Sequence, residues 1–73
     1  SSGDRLEAAQ YFKKASESGY VESYYFLARC YHLQKKFDQA IELYHQYKNM
    51  EVKKRMDNSQ INRYIDISIR AKR

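Results

Sequence analysis

VESYYFLARCYHLQKKFDQAIELYHQYKNMEVKK, residues 21–54, decides the fold. Tyr24, Leu27, Ala28, Tyr31, Phe37, Ala40 and Tyr44 fall three or four apart in two runs, with Gln34-Lys35-Lys36 between them. That is the apolar spacing of two amphipathic helices joined by a tight turn. Ala28 and Ala40 leave room for the two axes to approach to about 8–10 Å. The rings of Tyr24, Tyr31, Phe37 and Tyr44 are then expected to fill the space beside that contact.

Working outward, Asp4 is expected to open a first helix, with Glu7 three residues on as in a capping box. Leu6, Ala9 and Phe12, flanked by Ala8 and Ala15, form its apolar stripe. Gly19 ends it, because glycine takes the left-handed conformation at a helix C-terminus without a Cβ penalty. The third helix runs from about Phe37 to Met50, with Ala40, Ile41, Tyr44 and Tyr47 inward and Asp38, Gln39, Glu42 and Gln46 solvated. Glu51 to Met56 reads as a basic linker or a fraying continuation of that helix.

The last segment carries two periodicities. Ile61, Tyr64, Ile65, Ser68 and Ile69 follow helical spacing, while Ile65, Ile67 and Ile69 alternate with polar residues as in a strand. Nothing else in the chain is available to pair with a strand, and a lone strand leaves its backbone groups unsatisfied. The expectation is a capping helix over about 58–72, begun near Asp57 with Gln60 three residues on. Ser1-Ser2-Gly3, an expression scar or a native loop, is set outside the fold. The expected organisation is therefore one all-α domain over residues 4–72, with about four helices.

The helix-turn-helix pattern resembles a tetratricopeptide repeat, a unit of about 34 residues. With Val21 as the first position, the family's large sites match Tyr24, Leu27, Tyr31, Phe37 and Tyr44, and its small sites match Ala28 and Ala40. Tyr47 departs from the usual small residue and Val52 from the usual proline. The spacing of Ala15, Gly19, Leu27, Ala28 and Tyr31 is similar to a Sel1-like repeat boundary, so the preceding helix is expected to join through a shorter turn. The run Phe37-Asp38 to Tyr47, followed by Ile61, Ile65 and Ala71-Lys72, also resembles repeat modules of bacterial cell-envelope proteins. Those modules accompany β-propeller or outer-membrane-protein-A-like domains in secretion or gliding machinery. That resemblance implies a periplasmic or cell-envelope location, the cytoplasm being the alternative.

Composition narrows the function classes. The chain has 73 residues, two glycines and no proline, and 42% of it is hydrophobic. That suits a helical chain with a core near the lower size limit for stability. No apolar run reaches the roughly 18–20 residues needed to span a bilayer. Cys30 is the only cysteine, so an internal disulfide is impossible, and it reads as a structural thiol. His32 and His45 have no Cys or carboxylate at metal-ligand spacing. There is no nucleophile elbow and no glycine-rich phosphate loop. The expectation is a non-catalytic protein with no cofactor and no metal.

What remains is recognition. The resemblance implies that the first helix of each unit lines a groove, here through Tyr25, Arg29 and His32. If the last helix takes the place of the next unit's first helix, Arg63 corresponds to Arg29 and Asp66 to His32. Arginine suits carboxylates through paired hydrogen bonds, and tyrosine adds a rigid amphipathic contact. The expected partner is a protein or peptide, acidic in character, or an adjacent domain of the parent chain. The chaperone-tail clamp of some family members needs lysine and asparagine at the sites of Tyr25 and Arg29, and this chain has neither. The net charge of +5 points to a rival reading. Residues 51–73 hold seven Lys and Arg against three Asp and Glu, so most of the charge sits in that third. Lys53-Lys54-Arg55 and Arg70, Lys72 and Arg73 are candidates to contact nucleic-acid phosphates, with Tyr64 stacking on a base. A structural spacer within a longer solenoid is the third possibility.

Overall fold

The structure, a computed structural model, describes residues 2–73. Four helices follow one another: α1 (Ser2–Glu17), α2 (Glu22–Leu33), α3 (Phe37–Asn49) and α4 (Asn58–Lys72). Each packs mainly on its neighbour in sequence, in the order α1–α2–α3–α4. The body measures 33 × 30 × 15 Å, thin enough that every helix keeps a side in solvent. No strand occurs among the described residues.

The Ala28–Ala40 reading holds. Both alanines are fully buried in one cluster with Tyr44, Tyr47, Ile61 and Ile65. A second, smaller cluster of Ala9, Leu27 and Cys30 joins α1 to α2, with Phe12 and Leu43 packed against it. Burial pushes the Cys30 thiol above its usual pKa, as suits a structural residue.

The turns explain themselves through backbone hydrogen bonds. At the end of α1, the Gly19 N–H donates to Ser16 O and the Tyr20 N–H to Ala15 O, both at 3.1 Å. This is a Schellman closure, and Gly19 takes the left-handed φ of 94° that it needs. The end of α2 is closed in the same way, by Lys35 N–H to His32 O at 2.9 Å and Lys36 N–H to Tyr31 O at 2.8 Å. Here the left-handed residue is Lys35, with φ 63°. A side chain with a Cβ costs roughly 1–2 kcal/mol in that conformation. At α4 both halves of the expected capping box are present. Asp57 Oδ1 accepts from the Gln60 N–H, and Gln60 Oε1 accepts from the Asp57 N–H, each at 2.9 Å.

Three details differ from the expectation. α1 begins at Ser2 rather than Asp4, which puts the Asp4 carboxylate inside the first turn, where the helix dipole still favours it. Ser1 lies outside the described residues. Leu6 does not join the stripe and is 51% exposed. It sits level with the C-terminal end of α2, where the contacts are polar: Arg5 Nη1 donates to Leu33 O at 3.1 Å and Gln34 Nε2 to Arg5 O at 3.5 Å. Ile41, expected inward, is half-buried at the edge of the main cluster.

Tyr47 and the linker account for one another. The Tyr47 ring is fully buried, and its hydroxyl donates to Glu22 Oε1 at 2.7 Å while accepting from the Met56 N–H at 3.2 Å. The other oxygen of Glu22 accepts from the Arg55 N–H at 3.0 Å. Lys54 turns back over the Tyr47 ring, and its Nζ donates to the carbonyls of Lys48 and Met50 at 2.8 Å. Those carbonyls lie at the C-terminus of α3, where a helix leaves acceptors open and a cation is favoured. The large residue at a usually small site thus anchors residues 54–56 and sets where α4 begins.

Two substitutions test this packing. Ala40→Leu places a large side chain where two helices touch and is expected to lower stability by about 1–3 kcal/mol through overpacking. Denaturant unfolding checks it, and an unchanged midpoint would remove the Ala28–Ala40 contact from the account. Lys35→Gly relieves the left-handed strain, less the backbone entropy of glycine, and is expected to raise stability by about 0.5–1 kcal/mol. A loss of stability on the same measurement would contradict the closure described for α2.

Candidate functional site

The residues expected to line a groove sit on the side of α2 that faces α4, and aromatic rings surround them. Tyr25 meets Tyr64 edge-on with centroids 5.2 Å apart, and it lies 6.3 Å from both Tyr44 and Tyr47. Tyr64 and Tyr44 stack at 5.9 Å with planes 24° apart. Arg29 lies over the Tyr64 ring, its guanidinium carbon 5.0 Å from the centroid, and Nη1 donates to the Tyr44 hydroxyl at a long 3.5 Å. Helical spacing produces this arrangement: Tyr25 and Arg29 stand one turn apart on α2 and so share a face.

Electrostatics follow from that packing. Burial, then a hydrogen bond to Tyr64, push the Tyr25 hydroxyl up to about 12, so it stays protonated and able to donate. Burial works against the charge on Arg29. The Tyr44 hydroxyl and the neighbouring tyrosines outweigh it and leave the guanidinium pKa above its ordinary value. A guanidinium has five N–H donors in a planar fork, and Tyr44 takes one of them at the limit of hydrogen-bond length. The fixed, half-buried cation is therefore suited to a bidentate acceptor such as a carboxylate.

His32 is drawn into the structure. Its Nδ1 lies 2.9 Å from the Oγ of Ser68 on α4, and its ring meets Phe37 edge-on at 5.1 Å. Burial, then the nearby Arg29 charge, lower its pKa, which keeps the imidazole neutral at neutral pH. Ser68 is fully buried, so the pair links α2 to α4 and the serine hydroxyl is closed to a reactant, while His32 is half-buried. Arg63 is exposed and borders a small cavity of about 190 Å³ with Met56, Gln60, Tyr64 and Ile67. Tyr64 is the shared element: it carries Arg29 on its ring and lines the cavity beside Arg63.

Sequence reasoning overlooked Tyr64 and Tyr44 as the supports of Arg29, and Ser68 as the partner of His32. The signal for Tyr64 lay in its place one turn before Ser68 and next to Ile65, on the inward side of α4. For Ser68 the only sign was helical spacing with Ile61 and Ile65. The basic third is more engaged than its composition indicates. Lys54 caps α3, Arg70 pairs with Asp66 at 3.1 Å, and Lys72 pairs with Asp38 across to α3 at 2.6 Å. Among the described residues no group of three His, Cys, Asp or Glu is placed to hold a metal ion. Nor is any of the described helices long and apolar enough to cross a membrane.

A family model described as tetratricopeptide repeat matches residues 1–59, which takes in α1 to α3 and stops at the start of α4. No curated protein and no solved structure matches the chain. On the strength of that match the chain belongs to the tetratricopeptide-repeat family.

Proposed function

We propose that this chain is a non-catalytic protein-interaction module that takes an acidic peptide segment against Tyr25, Arg29, His32 and Arg63. The observation that carries the reading is the mounting of Arg29. Its guanidinium rests on the Tyr64 ring and touches the Tyr44 hydroxyl, at the junction of α2, α3 and α4. A cation held in this way has lost most of its side-chain freedom before a ligand arrives, which lowers the entropy cost of binding. Tyr25 and Tyr64 offer flat amphipathic surface beside it, the residue type that dominates binding energy at protein interfaces. His32 enters as a neutral wall of the groove, and Arg63 as a second, more exposed cation across Tyr64.

The basic third gives less support to nucleic-acid binding, since Lys54, Arg70 and Lys72 already have partners within the chain. Surface pairs such as Arg70–Asp66 contribute only about 0–1 kcal/mol, so the two readings need a direct test.

The test titrates the chain with an acidic peptide library and with single-stranded nucleic acid, each at two salt concentrations. Arg29→Ala, Arg29→Lys and a chain lacking residues 70–73 are run beside the parent. An acidic-peptide reader is expected to lose about 1.5–3 kcal/mol of affinity on Arg29→Ala, the range for a charge-assisted hydrogen bond. Arg29→Lys should recover only part of it, because lysine lacks the planar fork. Removal of residues 70–73 should leave peptide affinity unchanged. Binding to nucleic acid alone, lost with residues 70–73 and indifferent to Arg29→Ala, would overturn the reading.

A further inference from the structure

We propose that the acidic segment taken at Arg29 carries an aliphatic side chain two residues from its carboxylate, and that this side chain seats in the cavity of Met56, Tyr64 and Ile67. This selectivity rests on the peptide-binding reading of the groove and adds a second residue to what the groove chooses.

Helical spacing divides α4 into three faces. Ile61, Ile65 and Ser68 are buried. Asn58, Asn62 and Asp66 form an exposed polar face. Gln60, Arg63 and Ile67 form the third, and together with Met56 and Tyr64 they line a cavity of about 190 Å³. Tyr64 is half-buried at the border between the buried face and the cavity, and it carries Arg29 with the guanidinium carbon 5.0 Å from its ring centroid. The cavity thus adjoins Arg29 across a single ring, on a face of α4 turned away from Asn58, Asn62 and Asp66.

Size, lining and charge specify the occupant. Small-molecule sites measure roughly 300–1,000 Å³, and a cavity of about 150 Å³ holds a benzene, so this one takes a single side chain. Its wall is apolar at Met56, Tyr64 and Ile67, and Ile67 is 48% exposed. The flexible thioether of Met56 adapts to the shape of what enters. The two polar lining residues act as donors. Gln60 Oε1 accepts from the Asp57 N–H at 2.9 Å, which leaves the NH2 group of that side chain to donate. Arg63 has no ion pair among the described residues. Donors at the rim suit the carbonyls and carboxylate of an acidic segment and disfavour a basic side chain. An aliphatic residue within such a segment meets both the wall and the rim. In an extended peptide, residues i and i+2 share a face about 7 Å apart, which spans the ring between the two subsites. The segment selected is therefore acidic residue, any residue, aliphatic residue.

The probe is a peptide with blocked ends, Gly-Ser-Leu-Ser-Asp-Ser-Leu-Ser-Gly, which offers leucine two residues to either side of its one carboxylate. Its counterpart has serine for both leucines. Each is titrated into the nitrogen-labelled 73-residue chain and its Arg29→Ala, Ile67→Ser and Tyr11→Ser variants, with affinities read from amide chemical shifts and circular dichroism confirming that each is folded. Ile67 and Tyr11 are exposed, so neither change disturbs the core. The leucine peptide is expected to bind at least tenfold more tightly than its counterpart. Ile67→Ser should abolish that preference and leave the affinity for the serine peptide unchanged. Arg29→Ala should weaken both peptides, and Tyr11→Ser neither. Equal affinity for the two peptides, with both weakened by Arg29→Ala, would overturn the cavity assignment and leave the groove reading standing. A leucine preference that survives Ile67→Ser, or that Tyr11→Ser removes, would place the leucine elsewhere and also overturn it. No binding of either peptide, or indifference of both to Arg29→Ala, would overturn the groove reading and the cavity assignment together.

Discussion

A buried tyrosine must find a partner for its hydroxyl, and the way Tyr47 does so fixes the arrangement of this molecule. Leaving that group unsatisfied costs roughly 1–3 kcal/mol, a large share of the stability a chain of this size holds. Tyr47 belongs to α3, its acceptor Glu22 to the first turn of α2, and its donor Met56 to the linker before α4. One hydroxyl thus ties together the three elements that surround the tyrosine cluster. Glu22 extends the tie to the Arg55 N–H, and Lys54 closes the end of α3 from the same stretch. The linker has neither helix nor strand, yet three of its polar groups, the Lys54 ammonium and the Arg55 and Met56 N–H groups, are held.

The consequence reaches the groove. With residues 54–56 held, Asp57 caps α4 and the helix starts at Asn58, and its phase brings Tyr64 onto Tyr44 and under Arg29. Ser68, a turn further on, reaches His32. Aromatic side chains take the place that aliphatic ones fill in many helical cores, and each brings a polar atom. That is why the centre of this small protein is a network of hydroxyls around one guanidinium. The same rings that stabilise the stack hold Arg29 in place, which is the feature the proposed peptide contact rests on.

Much of this was legible in the residues. The spacing of Ala28 and Ala40 with the flanking rings predicts the two central helices, Gly19 the end of α1, and Asp57 with Gln60 the start of α4. Those signals are local, since period, cap and turn chemistry act within a few residues. The alternation of Ile65, Ile67 and Ile69 pointed toward a strand, and the helix prevails because Ile61 and Ile65 share a face that α3 buries. What was not legible depends on contacts between distant residues. Tyr47 at a usually small site looks like a misfit until Glu22, twenty-five positions earlier, accepts a hydrogen bond from its hydroxyl. Lys54 reads as part of a basic patch until it turns back onto α3. The supports of Arg29 likewise come from two other helices, so spacing along α2 alone could nominate the arginine but not its setting.

The central claim is that Tyr47 and Glu22 act as one unit that seats α4, and a double-mutant cycle measures it most directly. Tyr47→Phe removes only the hydroxyl, Glu22→Gln removes the charge with little change of shape, and the two are combined. Denaturant unfolding of the four proteins should give a coupling of about 1–3 kcal/mol, the range for a hydrogen bond to a charged group in a partly buried setting. The α4 amides of Tyr47→Phe should also exchange hydrogen faster than those of the parent, relative to α2. Additive effects, within about 0.5 kcal/mol, would contradict the account and leave α4 held by its apolar contacts alone.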